Sequence, residues 1–190
     1  MPSIEGGGVE KNLFIVSNYL VKKVDKISLI SASQKYKKKF HSKINFISPK
    51  SNVWDKKARR TKYFVCLLLL LKQIFQDRHI LVFAFQANIY CIILCKIFGI
   101  KVITRSNSAP AGWSKNFLKK IIFKFFLNLA DLVMANSQEF IKSLKKEFNL
   151  NALCIYNPLN KKHIIKQSNK AKKKFFRTKK LKILNIGRFT

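Results

Sequence analysis

The strongest constraint on the fold is an alternation of two hydrophobic periods between residues 79 and 157. HILVFAF (79–85) is a near-continuous apolar run of strand length, and residues 86–98 carry helical spacing. Gly99 stops that helix, and IKVITRS (100–106) is the next apolar run. The unit repeats as a helix over 115–129, DLVMANS (131–137), a helix over 138–148, and ALCIYN (152–157). Asn157-Pro158 closes the series, because the residue before proline avoids the helical region. Apolar strands separated by helices indicate parallel strands covered on both faces. Residues 80–100 have the roughly 20-residue length that crosses a bilayer. Gln86, Asn88 and Lys96 interrupt them, however, and divide the stretch into a strand and a helix. The predicted class is α/β with a doubly wound parallel sheet, whose ligands sit outside the carboxyl ends of the strands.

Upstream, residues 12–22 predict a helix with Leu13, Val16 and Leu20 on one face. KISLISA (26–32) and KINFI (43–47) are short isoleucine-rich strands joined through the basic turn QKYKKK. Residues 54–76 predict a long helix with 67–71 as its buried middle. The strands near Ile27, Ile44, Ile80, Val102, Leu132 and Leu153 are expected in one sheet. Gly6, Gly7 and Gly8 open the first helix, and only five residues precede them, too few for a full strand. Their N–H groups suit a diphosphate approaching a helix N-terminus; a plain tight turn is the other reading. Residues 160–180 are strongly basic and weakly periodic, a linker or an exposed helix, and LKILNIGRFT (181–190) begins a fresh strand. The expected organisation is therefore a domain over 1–159, a linker over 160–180, and the start of a second domain over 181–190.

With 39 Lys+Arg against 8 Asp+Glu, the 190-residue chain carries a net charge of +31. Such a field attracts nucleic acid or an anionic membrane surface. Yet arginine occurs only at 59, 60, 78, 105, 177 and 188. Abundant Ile, Phe, Asn and Lys together are also what an A+T-rich genome imposes. Base readout favours the arginine fork, and no nucleic-acid reader motif is visible, so a basic nucleic-acid-binding protein is the alternative, resting on charge alone. Cys66, Cys91, Cys95 and Cys154 lie in apolar runs, and His41, His79 and His163 are scattered. The expectation is buried free thiols in a reducing cytoplasm, with no metal and no cofactor. The opening residues are polar and glycine-rich, unlike an export signal.

Five segments in order resemble one family: GGGVEKN at the start, ITRSNSAP (103–110), ADLVMANSQ (130–138), IYNPLN (155–160) and ILNIGRFT (183–190). They are similar to the N-terminal half of the family 4 glycosyltransferases, retaining enzymes of the two-domain GT-B architecture. The resemblance implies a Rossmann-like acceptor-side domain, a nucleotide-sugar donor, and a polysaccharide or lipid-linked acceptor. It assigns Gly6, Gly7, Gly8 and Arg188 to the donor phosphates, and Arg105, Asn107, Ser137 and Asn157 to the acceptor-side cleft. Many relatives carry a histidine where Asn107 aligns. Asparagine cannot serve as a general base, so no catalytic residue is assigned. Ser137 also has the simpler reading of a helix N-cap. Relatives carry a strand before the glycine loop and a Glu-x7-Glu motif in a second domain. Neither is seen in these residues, so the implied state is an N-terminal fragment with little transfer activity of its own. LKKIIFKFF (118–126) is expected to face the core with its lysines solvated; peripheral contact with an anionic membrane is the other reading.

Overall fold

Residues 1–2, 4, 7–86, 88–107 and 116–170 are described by the computed structural model. Met1–Pro158 forms one compact unit and Leu159–Thr190 a second. In the first unit, α1 (Gly8–Leu20) leads to β1 (Ser28–Ile30) and β2 (Asn45–Ile47). A 3-10 turn at Asn52–Lys56 and helix α2 (Arg59–Gln76) follow. Then come β3 (Leu81–Ala84), α3 (Asn88–Ile97), β4 (Lys101–Arg105), α4 (Phe117–Asn128), β5 (Leu132–Ala135), α5 (Gln138–Phe148) and β6 (Leu153–Cys154). The second unit contributes α6 (Lys161–Lys170), exposed along its described length, with the Asn160 side chain accepting from the His163 N–H at its start.

Every described strand pairing is parallel, as the alternation predicts. The single six-strand sheet is not formed. β3, β4, β5 and β6 make a four-strand sheet in that order, and β1 pairs with β2 in a separate sheet. The physical reason lies at the edge of β1. Ser31 donates its N–H to Ile47 O on the β2 side, whereas Ile30 O and the Ala32 N–H face away from β2 and are taken by the Met1 nitrogen and Pro2 O. The first residues thus occupy the edge through which β1 would otherwise meet a neighbour. The two sheets share their cores instead. Leu29 of β1 joins Ile4, Leu13, Phe40, Ile44 and Phe85 on one face, and Ile30 packs against the larger cluster on the other.

That larger cluster takes Leu70 and Ile74 from α2, Ile92 and Cys95 from α3, Leu127 from α4, and Phe140, Leu144 and Phe148 from α5. It packs them on Val102, Val133 and Ala135 of the central strands. Two of the predicted helices end where their chemistry dictates. Gly99 takes a φ of +68° and the Ile100 N–H reaches back to Cys95 O, closing α3. Asn149 does the same for α5 at a φ of 51°. The helix predicted over 54–76 is interrupted: Ser51 caps the 3-10 turn through the Val53 N–H, and α2 starts afresh at Arg59. The last strand shortens to Leu153–Cys154, although Ile155 still donates its N–H to Ala135 O. The strand expected over 181–190 lies outside the described residues.

Candidate functional site

The carboxyl edge of the four-strand sheet gathers most of the candidate residues. Arg105 is the last residue of β4 and is only 2% exposed. Its Nη2 donates to Ile155 O at 3.1 Å and to Asn157 Oδ1 at 2.9 Å, just beyond β6. The same Asn157 oxygen accepts from Asn12 Nδ2 at 2.7 Å. Asn12 is a buried residue of α1, one turn after Gly8 and on the same side of that helix. One side-chain oxygen therefore ties the turn behind the glycines to the guanidinium at the end of β4.

The backbone is stitched at the same level. Arg105 O accepts from Asn88 Nδ2 at 3.1 Å, and Asn107 Nδ2 donates to Phe85 O at 3.1 Å, holding the ends of β3 and β4 together. Asn107 thus has a structural duty at the cleft, in keeping with a side chain that cannot act as a base. Ser137 is turned to its own helix: its Oγ accepts from the Phe140 N–H and caps α5, and it makes no described hydrogen bond to the Arg105 cluster. Gly7 is the N-cap of α1 and Gly8 its first residue, with no side-chain cap on the first-turn N–H groups. Nothing lies within 4 Å of a Cβ built on Gly8. Glu10 is also in that first turn, but it sits about 200° round the axis from Gly8 and so on the other side of the helix from Asn12. Gly6 and Arg188 lie outside the described residues.

The electrostatics of this edge are unusual. Both described hydrogen bonds from the Arg105 guanidinium go to neutral oxygens, and burial lowers its pKa from the ordinary arginine value. It stays protonated at neutral pH all the same. The described ion pairs lie elsewhere. Lys96 meets Asp131 at 2.7 Å at the amino end of β5, and Lys120 meets Glu147 at 3.3 Å between α4 and α5. Burial pushes the Asp131 carboxyl up, but the Lys96 ammonium and the Val102 N–H more than offset it and hold the group below its ordinary value. Arg105 Nε, Thr104 Oγ1, Ser106 Oγ, Asn88 Oδ1 and Gln86 Oε1 are all buried and have no hydrogen-bond partner among the described residues. Leaving such an atom unmatched costs about 1–3 kcal/mol, so their gathering at one edge needs a reason.

Sequence patterns did not point to Asn12, Asn88, Thr104 or Ser106. Asn12 carried a signal, because it is a polar residue beside the apolar stripe of Leu13, Val16 and Leu20. Thr104 and Ser106 carried none, since a strand ending in small polar residues looks the same whether or not it lines a site. Among the described residues no three His, Cys, Asp or Glu side chains come together as a metal site. Cys66, Cys91, Cys95 and Cys154 are free thiols.

Neither a family model nor a curated protein matches this chain. The fold and the edge define a class on their own terms: a parallel α/β domain with a buried cation under the carboxyl ends of its strands that meets no carboxylate among the described residues.

Proposed function

We propose that this chain forms the acceptor-side, Rossmann-like domain of a retaining sugar-transferring enzyme of GT-B architecture, with its cleft at the Arg105 edge. The observation that carries the reading is Arg105 itself. Ile155 O and Asn157 Oδ1 need only a neutral donor, and a neutral donor would avoid the cost of burying a charge. Among the described residues no carboxylate meets this guanidinium, and an external anion would serve as its partner. A diphosphate supplies that charge, and the uncapped N–H groups of Gly8 and Val9 lie one helical turn from the same hydrogen-bonded cluster. The order of the five resembling segments supports the sugar-nucleotide class within the wider set of anion-binding α/β domains.

The test is calorimetric titration of the 190-residue chain with a nucleoside diphosphate and with its sugar conjugates at about 150 mM salt, where exposed charges are screened beyond roughly 8 Å. Binding should be weak but should persist at that salt in the wild-type chain. It should fall about tenfold or more in Arg105→Met, since a hydrogen bond to a charged group contributes roughly 1.5–3 kcal/mol. Equal affinity in Arg105→Met and wild type, or binding that vanishes with salt in both, would remove the site. Preference for duplex nucleic acid over the nucleoside diphosphate at the same salt would favour the alternative class.

A further inference from the structure

The sequence pattern expects α4 to turn its apolar side to the core, and the structure places most of that side outward. Leu127 is buried, and Phe123 and Phe126 are half-buried. Phe117 and Leu118 are 74% and 67% exposed, and Ile121, Ile122 and Phe125 are between 47% and 61% exposed. At 100° per residue these five side chains occupy one arc of about 140°. Lys124 lies just beyond one edge of that arc and Lys119 beyond the other, both exposed. Lys120 is on the inward side and is held by Glu147. The helix carries no acidic residue, and Asn116 caps its start by accepting from the Leu118 and Lys119 N–H groups, so the exposed segment is a finished helix.

We propose that α4 is an interfacial helix, seating Phe117, Leu118, Ile121, Ile122 and Phe125 in the headgroup boundary of an anionic lipid leaflet, with Lys119 and Lys124 on the lipid phosphates. The occupant follows from charge. An apolar stripe edged by lysines on both sides asks for a surface that is apolar within and anionic at its rim. A second copy of this chain is the wrong complement, because it would bring the same lysine edges together on two molecules of net charge +31. The helix lies on the leaflet and does not cross it: α4 has 12 residues, and among the described residues no helix is long and apolar enough to span a membrane. This inference is independent of the sugar-transfer reading.

The test is co-sedimentation of the full chain with vesicles of phosphatidylcholine alone or with about one-third phosphatidylglycerol. Wild type should bind the mixed vesicles, prefer them to the neutral ones, and stay partly bound at about 0.5 M salt, where charge alone is screened. The double variant Ile122→Ser, Phe125→Ser should keep its fold by circular dichroism, because both side chains are exposed, and should lose about tenfold or more of its partitioning, with the remainder removed by salt. Lys119→Glu with Lys124→Glu should weaken the preference for the anionic lipid, with the remaining attraction removed by salt. Wild-type binding by the Ser variant would overturn the proposal, since the general charge would then suffice. So would a dimer in sedimentation velocity that the Ser variant dissolves while neither protein binds vesicles.

Discussion

Asn157 is the residue on which the candidate cleft turns. Its Oδ1 accepts from Asn12 and from Arg105 at once, so the acceptor is fully used while no carboxylate among the described residues neutralises the charge it faces. Asn157→Asp keeps both hydrogen bonds and puts a negative charge beside Arg105. It should raise the unfolding free energy by about 1 kcal/mol, a charged hydrogen bond discounted for the exposure of Asn157. The carboxyl, held by a cation, would titrate below its ordinary value of about 3.9, so the gain should be present at neutral pH and fade as pH falls below about 4. The same substitution should abolish nucleoside-diphosphate binding, because an internal carboxylate now occupies the cation. Stability up and affinity down is the expected pair, read by urea unfolding and calorimetry; loss of stability at neutral pH would show that Arg105 does not need an anion. Arg105 and Asn157 were both legible in the sequence, because strand ends and the Asn-Pro stop locate the carboxyl edge. That a single oxygen joins them to Asn12, 145 positions away, was not, because pairing across a sheet edge leaves no mark on spacing.

At the scale of elements, the local code was read well where one residue decides the outcome and less well where a neighbour does. Gly99 ends α3 because its φ of +68° is open to glycine and strained for most residues. No atom stands within 4 Å of a Cβ built there, so a substitution meets backbone strain alone. Gly99→Ala should therefore cost about 1 kcal/mol, the left-handed penalty less the entropy removed from the unfolded chain. Gly99→Asn should cost less, as Asn149 holds the same conformation at the end of α5. A denaturation series showing the reverse order would mean that packing, and not backbone conformation, sets this helix end. Helices α3 and α5 and strands β3, β4 and β5 were foreseen to within two residues because their apolar periods are strong. The division into two sheets was not, since it depends on Met1 and Pro2 claiming the edge of β1, a choice made in three dimensions. The exposure of α4 was misjudged for a related reason: periodicity shows that a helix has an apolar side and cannot show how much of that side its neighbours cover.

For the whole molecule, stability depends on pH through buried thiols held in a chain of net charge +31. Burial pushes Cys66 up to about 11 and Cys95 up to about 12, and raises Cys91 as well. From about pH 9 the unfolded chain gives up these protons while the folded chain keeps them. The unfolded state then binds fewer protons than the folded one, so the thiol contribution to stability is complete below about 9 and is lost as pH climbs toward 11 and 12. Replacing Cys66 by Val and Cys95 by Ala removes that term. Urea unfolding of wild type and the double variant from about pH 8 to 11 should show their stability difference shifting steadily against the wild type above about 9. A difference that stays flat across that range would mean these cysteines ionise as freely in the folded chain as in the unfolded one, and that the core around Ile74, Ile92 and Val102 admits water.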